Sequence, residues 1–326
     1  ASASMAGTSI AHVEDPVSAV FGNPATLTTY YGGTNFMFGA TFYMPRARME
    51  HDGSAGYATQ LHGSYVAGTD SAGDGSVAAS SQSFDSTSKA DVYAVPTVGV
   101  TQDLTGLGIP VVLGVGVSAT SGIGVDYRHT SNSLGAGAEL INLGVNAGIG
   151  MKMSDTLDVG VSMTITYSML EAGLTGSGGM THDIGFRGTV GARVKDVMPG
   201  LTIGMYAQTE QPHEYDNLHV TSMHGSEGLN LASGIAQTQP FIKCNGTSGN
   251  VCRQDVRVEQ PWNVGLGFAY SGLMNGNLLV MGDFTHKAWD DARVFNEFYD
   301  DQQVYSVGLQ LTQGHMKFIL GYVYAD

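Results

Sequence analysis

From Ile141 onwards the chain changes polarity at almost every residue. Ile141, Leu143, Val145, Ala147, Ile149, Met151 and Met153 share one side, against Asn142, Gly144, Asn146, Gly148, Gly150 and Lys152 on the other. After a tight turn at 153–156, Leu157, Val159, Val161, Met163, Ile165, Tyr167 and Met169 alternate with Asp158, Gly160, Ser162, Thr164, Thr166 and Ser168. A period of two belongs to extended strands, whose side chains leave opposite faces of a sheet in turn; an amphipathic helix repeats near 3.6. The pattern recurs at Val111 to Val117, at Ile184 to Val194 opposite Arg187, Thr189, Arg193 and Lys195, and at Leu201 to Met205. It returns at Trp262 to Tyr270, Val280 to Phe284, Tyr305 to Leu311 and Phe318 to Tyr322.

A soluble β-sandwich also alternates, but it solvates its polar face with Lys and Glu. Here that face is mostly Gly, Ser, Thr and Asn, and the strands are long. Charged residues make up 13% of the chain, roughly half the usual share of about 25% in soluble domains. These features predict an all-β fold, a transmembrane antiparallel β-barrel with its apolar side in lipid and its small polar side towards the lumen. Closure into a barrel satisfies every backbone group without an open edge. Tyr127, Tyr167, Trp262, Tyr270, Trp289 and Tyr324 are expected near the lipid-facing strand ends.

No apolar run approaches the roughly 20 residues of a spanning helix. The start, Ala1-Ser2-Ala3-Ser4, lacks a basic stretch before an apolar one, so any signal peptide is expected to have been removed. A formal charge of −15 excludes nucleic acid as a natural partner. Cys244 and Cys252 lie in a Gly, Ser and Asn-rich stretch that suits a small disulfide loop formed in an oxidising compartment. Short connections at 103–108, 153–156, 197–200, 272–277 and 312–315 read as periplasmic turns. The alternate links, around 50–91, 128–137, 170–182, 210–256 and 288–302, are mostly longer and read as extracellular loops.

Neither catalysis nor a cofactor is expected. Ser, His and acidic residues occur without a nucleophile motif, and the run Gly114-Val115-Gly116 lies inside an alternating strand, not at a strand-to-helix turn. His213, His219 and His224 share a stretch with Glu210, Glu214 and Asp216, but their spacing matches no compact metal site.

The first thirty residues do not alternate. They hold Asp15-Pro16, Asn23-Pro24-Ala25 and the apolar set Val17, Val20, Phe21 and Leu27, more bulk than a solvated tail carries, and the inside of a barrel would give it a place. The run from Asp15 to Leu27 resembles the plug, or hatch, of the FadL/TodX family of outer-membrane channels for hydrophobic compounds. Three further stretches resemble that family in order: Ser121 to Tyr127, Ile184 to Gln208, and Val258-Glu259-Gln260-Pro261-Trp262.

The resemblance implies a hatch at 1–31 plugging the lumen, with Asn23, Pro24 and Ala25 as its motif, and a barrel at 32–326 with long extracellular loops at 50–91 and 210–256. It implies fourteen strands, where about eleven are visible; bacterial single-chain barrels have an even number. Either a C-terminal part beyond Asp326 or a strand hidden in 210–256 is therefore expected. A kinked third strand would open the wall sideways at Ser121, Gly122, Ile123 and Gly124. A hydrophobic ligand would be caught among Phe21, Met169, Leu170, Leu174, Met180, Met223, Leu229, Leu231 and Ile235. The function implied is passive uptake of long-chain fatty acids or hydrocarbons across the outer membrane, with membrane lipid and lipopolysaccharide as surroundings. A general porin or structural surface protein of the outer membrane is the other reading left open.

Overall fold

A computed structural model describes residues 2–44, 46–51, 84–89, 92–127, 129–130, 137–171, 180–221, 242–248, 251–297 and 299–326. Its strands are β1 (Thr34–Tyr43), β2 (Arg48–His51), β3 (Phe84–Thr87), β4 (Tyr93–Asp103), β5 (Val111–Asp126), β6 (Gly137–Lys152), β7 (Leu157–Glu171) and β8 (Met180–Met198). They continue with β9 (Leu201–Gln208), β10 (Gln211–Thr221), β11 (Ile242–Ser248), β12 (Val251–Gln260), β13 (Asn263–Leu273), β14 (Leu278–Lys287), β15 (Gln302–Gln313) and β16 (Met316–Ala325).

Eleven of them form one antiparallel sheet in the order β1-β4-β5-β6-β7-β8-β9-β13-β14-β15-β16. The alternation decides its faces. Along β7, Val161, Met163, Ile165 and Tyr167 are 51%, 50%, 38% and 41% exposed, whereas Ser162, Thr164, Thr166 and Ser168 are at most 9% exposed. The apolar side is therefore the outside and the small polar side is covered, the reverse of a soluble sheet. β1 and β16, the two ends of the sheet, are not paired with each other.

What covers the polar side is the N-terminal segment. Helix α1 (Pro16–Phe21) begins with Pro at its first turn and is capped by Asp15, whose Oδ1 accepts from Ser18 N at 2.8 Å. A 3-10 helix follows at Pro24–Tyr30, capped by Asn23. Val13, Ala19, Val20 and Leu27 pack on Val112 of β5, while Met5 and Ala11 pack on Ala269 and Met281 of β13 and β14. Each fully buried Leu or Val side chain contributes roughly 1.5–3 kcal/mol. The segment touches β1 through α1 and β16 through the 3-10 helix Ser2–Met5, so both ends of the sheet roll around it.

Two expectations change. The stretch 210–256, read as a loop, contains a separate three-stranded sheet, β10-β12-β11. β10 does not prolong the wall; it crosses the inner face of β8, where a Cβ on Gly185 would strike the His213 ring. Of the aromatic residues expected at lipid-facing ends, Tyr167 and Tyr324 are exposed, but Tyr127 is 2% exposed and donates to Ala47 O at 3.2 Å. Trp289 sits in a short 3-10 helix between β14 and β15. Polar partners and ring neighbours hold these two away from the outer surface.

Candidate functional site

The seat of the N-terminal segment is cut for its backbone. A Cβ on Gly160 would fall on Pro24 and Ala25, and one on Gly191 would collide with the Asn23 side chain. Asn23 is fully buried and uses its whole amide: Nδ2 donates to Ile10 O at 2.8 Å and to Ala192 O at 3.1 Å, and Oδ1 accepts from Ala25 N at 3.1 Å. One polar residue thus joins two parts of the segment to the wall.

Three charged anchors complete the seat. Asp158 of β7, fully buried, accepts from Arg193 Nη2 at 2.7 Å, Lys195 Nζ at 3.0 Å and Thr28 Oγ1 at 2.8 Å, while Arg193 also reaches Thr29 Oγ1 at 2.9 Å. Asp283 of β14 accepts from the backbone N–H groups of Ser9 at 2.7 Å and Ile10 at 3.1 Å. Glu14 meets His12 at 3.1 Å and Lys317 of β16 at 2.8 Å. The hydrogen bond to His12, with the Lys317 ammonium, holds the Glu14 carboxyl at about 2, against an ordinary value of 4.5.

Beside this seat one ladder of the wall ends early. The ladder between β4 and β5 runs from Asp103↔Val112 to Val98↔Val117 and stops, although β4 continues to Tyr93 and β5 to Asp126. At the break β5 carries a bulge. Ala119 pairs with Leu143 and Ser121 with Asn142, leaving Thr120 as the extra residue. An added residue reverses the faces: Gly122 and Gly124, paired with Ile141 and Glu139, now share the outward side of β6. Ser121 turns inwards, where its Oγ accepts from Asn142 Nδ2 at 2.6 Å and from Gln260 Nε2 of β12 at 2.8 Å.

Three cavities meet at this bulge. One of about 520 Å³ occupies the break, between Tyr43, Tyr93, Val95 and Thr97 on one side and Ser121, Gly122, Gly124 and Ile141 on the other. A second, about 370 Å³, lies over the N-terminal segment against Val17, Ser18 and Phe21. The third, about 460 Å³, rises towards the long connections between Leu140, Arg187, Lys287, Trp289, Phe295 and Tyr299. Thr120 lines all three.

The third cavity is amphipathic. Trp289, Phe295 and Tyr299 stand with ring centroids 5.1, 5.8 and 6.1 Å apart. Beside them Leu140, Leu170 and Phe295 pack on buried Tyr215 and Val258. Arg187 donates to Pro261 O at 2.8 Å. Neither Arg187 nor Lys287 has a carboxylate within ion-pair distance among the described residues. His213 is 2% exposed and neither ring nitrogen has a hydrogen-bond partner among the described residues, with Asp183 Oδ2 3.9 Å from its Nδ1; burial pushes its pKa down.

Of the residues singled out from sequence, Phe21 lines the cavity over the N-terminal segment, and Leu170 packs in the cluster beside the amphipathic one. Met169 and Met180 stand on the outward side of β7 and β8, with Tyr167 and Ile184, and do not join them. Leu174, Met223, Leu229, Leu231 and Ile235 lie outside the described residues. Ser121, Gly122 and Gly124 line the break; the backbone of Ile123 pairs with Leu140, its side chain lying outside the described residues. Cys244 and Cys252 fall on the neighbouring strands β11 and β12, opposite Gln254 and Thr247, and their side chains too lie outside the description. Sequence reasoning passed over Thr120, Tyr93, Lys287, Phe295 and Tyr299, and it singled out Trp289 only as a lipid-facing aromatic. Arg187 carried a signal, because it stands with Arg193 and Lys195 on the polar side of one strand where the other strands carry mostly Gly, Ser, Thr and Asn, and cations at membrane depth are costly and tend to be functional.

No family model and no curated protein matches the chain. Solved structures do. The Pseudomonas putida toluene transporter TodX superposes with a TM-score of 0.64 at 17% identity, over 100% of this chain and 82% of that one. The Ralstonia pickettii toluene transporter TbuX gives 0.63 at 17% identity, over 100% and 85%. A Pseudomonas aeruginosa FadL homologue gives 0.65 at 13% identity, over 100% and 79%. Over its whole length, then, the chain shares the fold of the FadL and TodX transport proteins.

Proposed function

We propose that this chain is an outer-membrane channel for the passive uptake of small hydrophobic molecules, fatty acids or hydrocarbons, with residues 1–31 as its plug and the break between β4 and β5 as a side exit. The observation that carries the reading is that three cavities share Thr120 in their lining, one of them lying at the break between β4 and β5. The similar folds of a toluene transporter and a FadL homologue support it.

A ligand enters the amphipathic cavity from the long-connection end and buries apolar surface on Trp289, Phe295 and Tyr299, worth roughly 25 cal/mol per Å². Arg187 and Lys287 offer charge-assisted hydrogen bonds to an acidic head group, so a fatty acid fits as well as a hydrocarbon. The N-terminal segment closes the way straight down. Past Thr120, the way that remains leads sideways, into the membrane, where an apolar molecule is more stable than in water.

Thr120→Trp fills the junction of the three cavities. Cells carrying that variant are expected to take up radiolabelled toluene no faster than cells without the protein, with the barrel still assembled. Unchanged uptake would remove the route. If the wild-type chain instead passes small hydrophilic solutes through planar bilayers at a steady conductance, the general-porin reading replaces this one.

A further inference from the structure

The side exit has walls from opposite faces. Tyr93, Val95 and Thr97 belong to the side of β4 that also carries Gly99, which lies against Val17 of the N-terminal segment; this is the inner side. Gly122 and Gly124, by contrast, lie beyond the bulge on the side of β5 that pairs with the outward residues Ile141 and Glu139. The inner face of upper β4 therefore looks onto the outer face of upper β5. The two strands overlap like the edges of a rolled sheet, and the exit is the slot between them.

Within that slot one side chain reaches across. A Cβ on Gly124 would touch the Tyr93 hydroxyl, with Cζ of the same ring at 3.0 Å and Cε2 at 3.2 Å. No backbone ladder joins the strands at this level, so the ring spans the slot where the wall itself does not. Gly122, one position nearer the bulge on the same face, has among the described residues only Leu140 O within reach of an added Cβ, at 3.4 Å. The slot is open at Gly122 and narrowed at Gly124 by Tyr93.

Resting on the side-exit reading above, we infer that Tyr93, seated on Gly124, sets the width of molecule that can leave sideways, a specificity-determining residue for uptake. A monocyclic hydrocarbon passes with a small turn of the ring; a fused-ring one has to displace it. The whole phenol is the obstacle, its hydroxyl lying nearest Gly124 and the ring behind it.

The test compares uptake of radiolabelled toluene and pyrene by cells carrying each variant. Tyr93→Ala is expected to raise the pyrene-to-toluene ratio about tenfold, the scale on which a hydrophobic site discriminates size. Tyr93→Phe, which keeps the ring and removes the hydroxyl at Gly124, is expected to raise the ratio less than Tyr93→Ala. Gly124→Ala pushes the ring from the other side and is expected to lower the ratio, which keeps the test decisive should Tyr93→Ala fail to assemble. Toluene and pyrene uptake at an unchanged ratio in both Tyr93→Ala and Gly124→Ala overturns the inference and leaves the channel reading standing. Uptake of neither hydrocarbon by the wild-type chain overturns the channel reading itself, and this inference with it.

Discussion

Asp158 is the residue on which the seat depends most. Its two oxygens are shared among Arg193, Lys195 and Thr28, so a single carboxylate balances two cations in a buried place and holds the N-terminal segment as well. Removing one partner of a buried pair leaves the other charge uncompensated, which costs roughly 3–5 kcal/mol. Asp158→Asn is therefore expected to lower the temperature of unfolding in detergent and to expose residues 24–30 to protease at a temperature where the wild type resists. Glu14 gives a test by pH. Its carboxyl is depressed in the folded state, so its contribution to stability is complete above the ordinary carboxylate value of 4.5 and fades as pH falls towards about 2. Glu14→Gln should unfold more easily than wild type at neutral pH, and the two should converge near pH 2. A gap that persists at pH 2 would mean that the carboxylate charge is not what matters. Neither role was legible in the sequence, because an Asp or Glu on a polar face reads as solvated until the segment that covers it is placed.

At the scale of elements the sequence was most transparent where lipid and lumen impose a strict period. β6 and β7 stand where the alternation put them, since each residue meets one of two different surroundings and a slip of one position would invert every side chain. The period is hidden in β10, whose covered residues Gln211, His213 and Tyr215 are polar or aromatic and alternate with exposed Glu214 and Asp216, so no apolar face marks the strand and the stretch 210–256 looked like loop. The bulge at Thr120 is half legible: Gly122 and Gly124 suggested a bend, but the loss of the β4 ladder and the reversal of faces need three dimensions. Gly160→Val tests the fit between the segment and its seat. Its side chain would occupy the place of Pro24 and Ala25, and the variant is expected to assemble a wall with a loosened segment, seen as larger and noisier conductance in planar bilayers. Deleting residues 1–31 should carry the same change further. A deletion with wild-type conductance would count against a plug.

For the whole molecule, the contrast between an aromatic trio and two cations without acidic partners among the described residues in one cavity predicts selectivity by ligand charge. A hydrogen bond to a charged group is worth about 1.5–3 kcal/mol, so Arg187→Ala with Lys287→Ala is expected to weaken the binding of an acid such as a long-chain fatty acid by about tenfold or more, leaving a neutral hydrocarbon of similar length unaffected. Equal losses for both would mean that the cations serve the fold and not the ligand. The N-terminal segment has one more consequence, and it concerns time. Ser9 is bonded to a residue 274 positions later, and Glu14 to one 303 positions later. During synthesis the segment is made before every strand of its seat, yet it cannot settle until β14 and β16 exist. It must wait, unseated, while the wall is built, and contacts this distant in sequence form slowly. A segment made before the wall is in this way seated after it, and its seating marks the end of assembly.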